Sequence, residues 1–431
     1  MNHSNATLRS RVYRVVQVSS GNLFEAFDLV VFGTFATTIA KVFFPAGDPT
    51  ASLMMTLMVF ASAYVMRFAG AMILGPYFDH AGRRKGLIVS LSLMGLGSFI
   101  IAATPGYETI GNLAPILIVI GRLIQGFSIG AETGGVNAYL KEIAGKGREA
   151  LFVCWGSVVF SMATVIALTL GYLLNAYLTP EQLLSWGFRV PFIIGCGIVP
   201  LVFYMRTNLI ESEEFTAETH HPTMKEVSAA LLRNWPVAVS GMLMCSGASS
   251  MFYMIFTYSP IFAKEVLKFT ATDSLLTTVT VTSINVVLLP IFAMLSDRIG
   301  RRPILFTSAI LAFLTAYPAL RFLSNNVTFV NLMSVQLWFT ILYASYAASA
   351  FVALTELIPA RIRATGYGAA TTLGLAIFGG FTPWVSQKLV LVTGDKASPG
   401  YVVMFMSVCS IVGIVSLWPL SARIQTQDRV K

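Results

Sequence analysis

Five ionisable residues lie well inside long apolar stretches of this sequence: Glu25, Asp28, Arg67, Arg122 and Glu132. A charged group in apolar surroundings costs about 3 kcal/mol or more, so it marks a place where an ion or a substrate is handled. A carboxylate can take up a proton, and a guanidinium can bind a carboxylate through two parallel hydrogen bonds. All four histidines lie outside these stretches. We therefore predict proton transfer by carboxylates, coupled to the binding of an anion by arginines.

The elements that position these residues are predicted to be membrane-spanning helices. The chain has 431 residues, of which 55% are hydrophobic and 11% are charged, whereas soluble domains carry about 25% charged residues. A helix needs roughly 20 apolar residues to cross the hydrocarbon layer. Twelve stretches meet this requirement: 16–40, 52–77, 86–104, 113–139, 151–177, 188–206, 235–262, 275–295, 303–323, 328–355, 366–391 and 401–422. The predicted fold class is an all-α membrane protein with twelve transmembrane helices.

The most polar stretch of the chain divides these spans into two sets of six. We expect an N-terminal six-helix bundle over residues 1–206, a cytoplasmic linker over 207–234 and a C-terminal six-helix bundle over 235–431. Within the linker, Thr223 and Glu226 form a capping-box pattern that predicts a short amphipathic helix. Most of the 29 Lys and Arg residues fall at one end of the predicted spans, which places both termini in the cytoplasm.

A short motif is repeated about half the chain apart, after the second and the eighth spans. The copies read Gly-Pro-Tyr-Phe-Asp-His-Ala-Gly-Arg-Arg-Lys and Ala-Met-Leu-Ser-Asp-Arg-Ile-Gly-Arg-Arg-Pro. A second repeated pair, an acid followed by an arginine, comes after the fourth span of each half as Glu142 with Arg148 and Glu356 with Arg363. Glycine permits a tight reversal, and an Asp at a helix end can pair with a neighbouring helix in one conformation only. We interpret the repeat as a gating latch; the alternative is a basic turn without a gating role. The expected gating residues are Asp79, Gly82, Arg83, Arg84, Glu142, Asp297, Gly300, Arg301, Arg302 and Glu356.

Several segments carry a resemblance to known transporters. Residues 75–85 resemble the signature loop of the major facilitator superfamily, and residues 122–130 are similar to its Arg-x-x-Gln-Gly motif. Residues 21–28 and 186–192 resemble the metabolite:proton symporter family, and residues 377–383 its citrate and tricarballylate symporters. The resemblance covers nearly the whole chain. It implies two pseudo-symmetric six-helix bundles and proton-coupled uptake of a di- or tricarboxylate across a bacterial cytoplasmic membrane by alternating access.

The buried charges are expected to form the substrate site. A rise of about 1.5 Å per residue places Asp28, Arg67 and Arg122 near the midplane, where transporter substrate sites lie. We expect ionised Asp28 to pair with Arg122, and its protonation to free the guanidinium for a substrate carboxylate. The expected proton-coupling residues are Asp28, Glu25 and Glu132. The expected substrate-binding residues are Arg67, Arg122, Asn22, Tyr64, Gln125, Tyr258, Asn285 and Tyr346.

Other interpretations of these residues compete with this one. The Asp28–Arg122 pair could be a permanent contact that only fixes helix packing, and Glu132 could be a protonated packing residue. The cargo could be another metabolite, such as a shikimate-like acid or a betaine- or proline-like osmolyte, although two midplane arginines favour an anion with several charges. An efflux antiporter is less favoured, because residues 151–177 contain no proline.

Missing motifs argue against several function classes. The sequence contains neither a HExxH nor a Walker A motif, so we expect neither enzyme activity nor coupling to ATP. The four cysteines lack ligand spacing, so we expect no metal and no cofactor. Topology explains the basic excess without a nucleic-acid partner. The expected partners are a small organic acid, protons and the lipid bilayer, and we expect a monomer.

Overall fold

The structure, a computed structural model, describes residues 23–45, 47–81, 83–130, 140, 144, 147–207, 235–358 and 363–430. Within these ranges the chain is almost entirely helical and contains no strand. Twelve long helical segments lie at the positions of the twelve predicted spans. Their bounds are α1 Leu23–Thr34 with its continuation Ala36–Phe43, α2 Pro49–Ala81, α3 Arg83–Ala103, α4 Leu113–Ile129, α5 Glu149–Tyr177, α6 Val190–Thr207, α7 Trp235–Glu265, α8 Ala271–Ile299, α9 Arg301–Asn325, α10 Phe329–Leu357, α11 Arg363–Gly374 with Leu375–Gly379 and Thr382–Thr393, and α12 Pro399–Val430.

Length and hydropathy of the described helices match a membrane protein. Eight helices are each long and apolar enough to cross a bilayer, and the bent α1 would be a ninth. The other three positions hold shorter apolar helices, Ile88–Ala103, Leu113–Ile129 and Gly187–Pro200. The prediction of an all-α membrane fold with twelve helices is therefore confirmed.

Local sequence features explain where several helices bend or end. The two parts of α1 meet at 63°, where Thr34 Oγ1 donates a hydrogen bond to the Val30 carbonyl, a contact that often bends helices. Thr270 caps α8 by accepting a hydrogen bond from the Asp273 backbone N–H. Helix α8 ends at Gly300, whose φ of +94° favours glycine, and α9 starts at the next residue. The expected tight reversal at Gly300 is thus confirmed.

The helices pack as two sets that meet along two interfaces. In the N-terminal half, α2 packs on α4, α4 on α3 and α3 on α6; in the C-terminal half, α7 packs on α11 and α12, and α9 on α10 and α12. Between the halves, α5 packs on α8 and α10, and α2 on α11. The predicted linker and its amphipathic helix fall on residues 208–234, outside the described residues, so the domain boundaries stay a prediction.

Candidate functional site

Two ion pairs lie side by side along α1. Arg67 Nη1, from α2, lies 2.8 Å from Glu25 Oε1, and Arg122 Nη1, from α4, lies 3.8 Å from Asp28 Oδ2. The four side chains are between 2% and 7% exposed. Because the two acids are three residues apart, they share one face of the helix. Helix α1 therefore presents two carboxylates to arginines from two neighbouring helices, and the four buried charges balance.

Three hydrogen bonds and the ion pair with Arg122 form a ring that includes Asp28. Ser98 Oγ, on α3, donates to Asp28 Oδ1 at 2.6 Å, and Gln125 Nε2 donates to Ser98 Oγ at 3.0 Å. Arg122 Nη1 donates to Gln125 Oε1 at 2.9 Å, which closes the ring. The network ties α1, α3 and α4 together around one carboxylate. Asp28 is thereby connected to the guanidinium along two routes, directly and through Ser98 and the Gln125 amide.

Arg122 retains an unused hydrogen-bond donor. Its Nε is buried and has no hydrogen-bond partner in the described part of the chain. The guanidinium carbon lies 4.3 Å from the ring centroid of Phe32 and 5.6 Å from that of Phe60, and aromatic faces attract cations. A buried polar group without a partner costs about 1–3 kcal/mol. The site therefore favours a ligand that accepts a hydrogen bond at Nε.

Close packing of α2 on α4 brings the two arginines together. A Cβ atom at Gly126 would lie 2.7 Å from the carbonyl carbon of Ala63, and one at Gly70 would lie 2.7 Å from that of Phe127. Any side chain at either position would push the helices apart. Small residues at such interfaces let two backbones approach closely, and here the approach sets the spacing of the two cationic side chains.

The segment 126–130 reads Gly-Phe-Ser-Ile-Gly, a pattern also found at the catalytic serine of many hydrolases. In those enzymes the serine sits on a sharp turn between a strand and a helix. Here the segment belongs to α4 and its end, and Ser128 Oγ donates to the Ser90 carbonyl on α3. The glycines serve helix packing, and the serine links two helices.

A small cavity lies between the arginines. It is lined by Asp28, Tyr64, Arg67, Arg122 and Gln125, among others, and its volume of about 10 Å³ leaves room for about one water molecule. Pockets for small molecules measure about 300–1,000 Å³. In the part of the chain that the structure describes, the arginine pair is therefore occluded, and this cavity must enlarge to admit a substrate.

Aromatic rings from both halves close over this cavity. Tyr64 of α2 and Tyr253 of α7 meet edge to face with centroids 5.2 Å apart, and Phe60 lies 5.4 Å from Tyr64. Two glycines of α11 receive the tyrosine rings: a Cβ at Gly379 would lie 2.6 Å from Tyr253 Cε2, and one at Gly380 would lie 2.6 Å from Tyr64 Cγ. The rings are thus held where the N-terminal half meets the C-terminal half.

The substrate-binding residues predicted in the C-terminal half have partners in neighbouring helices. Tyr258 Oη donates to Gln387 Oε1 at 3.0 Å, and Tyr346 Oη donates to a backbone carbonyl of α7 at 2.6 Å. Asn285 Nδ2 donates to Ser161 Oγ at 3.0 Å, where α8 meets α5. In this conformation the three groups link helices and do not line the cavity beside the arginines. Their role in substrate binding stays a prediction.

The second copy of the repeated motif contacts the other half of the chain. Asp297, at the end of α8, accepts hydrogen bonds from the backbone N–H groups of Ala150 at 3.0 Å and Leu151 at 3.1 Å. These groups form the N-terminus of α5, where unpaired N–H groups and the helix dipole stabilise a negative charge. The contact joins the ends of α5 and α8 that are predicted to be cytoplasmic.

Arg301 extends this contact to three carboxylates. It lies 2.9 Å from Asp297 Oδ1, 2.9 Å from Glu356 Oε1 and 3.7 Å from Glu149 Oε2. Glu149 is the first residue of α5, so the last pair also crosses between the halves. Arg302 points elsewhere: its guanidinium carbon lies within 6 Å of the Phe306 and Trp418 rings, at 5.7 and 5.9 Å. We name Asp297, Arg301, Glu149 and Glu356 the latch.

The opposite ends of the helices are bridged as well. Lys264 Nζ, near the end of α7, donates a hydrogen bond to Thr37 Oγ1 in the second part of α1 at 3.0 Å. This contact again joins the two halves. With the latch at one end and the lysine at the other, the structure holds the halves together on both sides of the arginine pair.

The family comparison agrees with this architecture. Residues 18–383 match the model of the family described as the Major Facilitator Superfamily. The chain belongs to this superfamily. The resemblance that the sequence motifs carry is thereby confirmed over most of the chain.

Similar Major Facilitator proteins include two named citrate-proton symporters. The one from Klebsiella pneumoniae is 47% identical over 413 residues, which cover 96% of this chain and 93% of that protein. The one from Salmonella typhi is 42% identical and covers 96% of each chain. Among solved structures, the proton:xylose symporter XylE superposes with a TM-score of 0.75 at 18% identity, covering 94% of both chains. That last similarity concerns the Major Facilitator fold alone.

Several predicted site residues of this Major Facilitator protein lie outside the described residues. They are Asn22, Gly82, Glu132 and Glu142, and the side chains of Asp79, Arg83 and Arg84 are likewise outside them. The structure adds three residues that sequence reasoning missed, namely Ser98, Glu149 and Tyr253. Ser98 is a polar residue in a predicted span, and Glu149 directly follows the arginine of a repeated pair. The sequence around Tyr253 does not indicate that it lies near the arginines, because its contact with Tyr64 depends on how the two halves of the chain pack together.

Proposed function

We propose that this protein is a secondary transporter that carries citrate or a related di- or tricarboxylate into the cell together with protons, by alternating access. The relatives named citrate-proton symporters support this substrate class, since they match almost the whole chain at 42–47% identity. The observation that carries the proposal is the pair of buried arginines on one cavity. Each is held by an acid of α1, and Arg122 Nε has no hydrogen-bond partner among the described residues.

The proposed coupling step is an exchange of partners at Arg122. A proton that reaches Asp28 neutralises the carboxylate and weakens its contact with the guanidinium. The guanidinium, whose Nε donor is already unpaired, then binds a substrate carboxylate in the two-point geometry that arginine offers. Arg67 binds a second carboxylate of the same molecule. A neutral or singly charged solute leaves one arginine without a new partner, which selects for polyanions.

Alternating access is proposed to proceed by opening one bridged end at a time. Opening of the outer end breaks the contact between Lys264 and Thr37, and opening of the cytoplasmic end breaks the latch. The occluded state described above lies between the two. We place the protein in the bacterial cytoplasmic membrane with both termini inside, from the distribution of Lys and Arg. We infer that a monomer suffices, because one chain supplies both halves.

The direct test is uptake by the purified protein in liposomes. Labelled citrate and tricarballylate are offered with and without an inward proton gradient, and glycine betaine serves as a zwitterionic comparison. We expect accumulation of a carboxylate above equilibrium, abolished by an uncoupler and reduced in Asp28→Asn. The matched control is Glu108→Gln, which neutralises an exposed acid in a connecting helix. Uptake that only equilibrates would contradict proton coupling, and gradient-driven uptake of betaine alone would contradict the substrate class.

A further inference from the structure

The two ion pairs on α1 are built in the same way. Each consists of one acid from α1 and one arginine from a neighbouring helix, and all four side chains are at least nine-tenths buried. The pair between Glu25 and Arg67, at 2.8 Å, is shorter than the pair between Asp28 and Arg122, at 3.8 Å. Glu25 therefore neutralises Arg67 in the way that Asp28 neutralises Arg122. A substrate carboxylate that binds either arginine competes with the acid already paired to it.

Both arginines line the same cavity, so one molecule with two carboxylates can contact both. Each substrate carboxylate that binds an arginine takes the place of the acid that holds it now. A displaced acid that stayed ionised would have lost the charge of its arginine in a buried site, which is strongly unfavourable. The four charges of the empty site sum to zero, so a bound dicarboxylate adds two negative charges. One proton on each acid restores the balance.

We propose that Glu25 and Asp28 each take up one proton for every substrate molecule, so that the site couples two protons to a substrate bound through two carboxylates. This inference rests on the proposed function and adds its proton count. A third substrate carboxylate, as in citrate, does not change the number of protons that the protein takes up. Any proton that the substrate itself brings is the same for the wild type and for every variant.

Other groups also face the two pairs. Tyr64 of α2 and Tyr253 of α7 lie beside the arginines, and the Cys196 thiol of α6 lies near Asp28. Ser98 and Gln125 complete the surroundings of Asp28 and do not titrate. Glu132, on the continuation of the α4 sequence, lies outside the described residues, and its expected proton-coupling role stays a prediction.

The test measures how far citrate accumulates at equilibrium as a function of the pH difference. Proteoliposomes with the membrane potential clamped at zero contain the wild type, Glu25→Gln, Asp28→Asn or the control Glu108→Gln. The slope of the logarithm of the accumulation ratio against the pH difference gives the protons carried per citrate. We expect the slope to fall by one in Glu25→Gln and by one in Asp28→Asn, about a tenfold lower accumulation per pH unit. The control should keep the wild-type slope.

A wild-type slope in Glu25→Gln or in Asp28→Asn would overturn the proposal. Citrate counterflow, which needs no net proton movement, checks that each variant is folded and binds substrate. If Glu25→Gln fails in counterflow, calorimetry of citrate binding to the wild type in buffers of different ionisation enthalpy counts the protons directly. Uptake of two protons by the protein is expected, and uptake of one overturns the proposal. A wild type that does not accumulate citrate at all would contradict the proposed function instead.

Discussion

The carboxylate of Asp297 lies at the N-terminus of α5 and accepts a hydrogen bond from the backbone N–H of Ala150 at 3.0 Å. The two residues belong to different halves of the chain, so the contact exists only while the predicted cytoplasmic ends of α5 and α8 are together. Asp297 is itself held by Arg301, which also reaches Glu149 at 3.7 Å. The second copy of the repeated motif therefore places one charged group at a helix end of the other half, and we expect rocking of the halves to break this contact.

The contacts of the latch predict that substitutions at Asp297 and at Arg302, two residues of the same motif, have different effects on the opening of the cytoplasmic end. Asp297→Asn removes a charge from the α5 N-terminus, where charge-assisted hydrogen bonds contribute about 1.5–3 kcal/mol. We expect the population open to the cytoplasm to rise about tenfold or more. Arg302→Gln is the control, because Arg302 contacts aromatic rings within its own half.

The measurement is the distance between spin labels at two exposed positions near the latch, Trp155 on α5 and Ile299 on α8. Asp297→Asn should shift the distance distribution towards longer values, and Arg302→Gln should leave it unchanged. Equal shifts in both variants, or none in either, would show that the motif is a basic turn without a gating role.

Arg122→Lys tests whether the shape of the guanidinium matters in addition to its charge. Lysine keeps the positive charge but loses the planar fork that binds a carboxylate at two points. Losing one hydrogen bond between the guanidinium and the substrate carboxylate weakens citrate binding by about 1.5–3 kcal/mol. We therefore expect a KM for citrate that is about 10–100-fold higher. Arg321→Lys is the control, because Arg321 is 55% exposed and its ion pair with Asp395 spans 3.4 Å. A KM within twofold of wild type in Arg122→Lys would rule out the two-point grip.

Gly380→Ala tests the role of the tyrosine rings over the cavity. The added methyl group would lie 2.6 Å from Tyr64 Cγ, so the ring must move, and overpacking of this kind costs about 1–3 kcal/mol. We expect a lower thermal stability and a lower maximal rate of citrate uptake. Gly197→Ala on α6 is the matched control, since nothing lies within 4 Å of its added Cβ, and alanine favours a helix by up to about 1 kcal/mol. Similar losses in both variants would contradict a specific role for the Gly380 contact.

The sequence predicts the spans and the charged core of this protein well, for a physical reason. Twelve apolar stretches must become helices in a bilayer, and acids three residues apart must share a helix face, as Glu25 and Asp28 do. It does not predict which of two adjacent arginines joins the latch, because Arg301 and Arg302 have the same local pattern. Their partners depend on how α5 and α12 pack around α8 and α9. Tyr253 escaped prediction for the same reason.

The placement of Asn285 shows a further difference between sequence and structure. From the sequence alone it is a polar residue at the midplane and hence a predicted substrate ligand. In the structure it donates to Ser161 across the contact of α8 with α5, while its Oδ1 is buried without a hydrogen-bond partner in the described residues. A buried polar group can bind a ligand or join two helices, and only the packed arrangement of the helices distinguishes these two roles.

The central claim is that the carboxylates of α1 couple protons to the movement of an organic acid. The most direct measurement compares net uptake with counterflow of citrate in the double variant Glu25→Gln/Asp28→Asn in proteoliposomes. Both amides imitate the protonated acids, so the arginines stay available to the substrate. The account predicts that counterflow continues while a proton gradient no longer drives citrate above equilibrium. Gradient-driven accumulation by the double variant would contradict it.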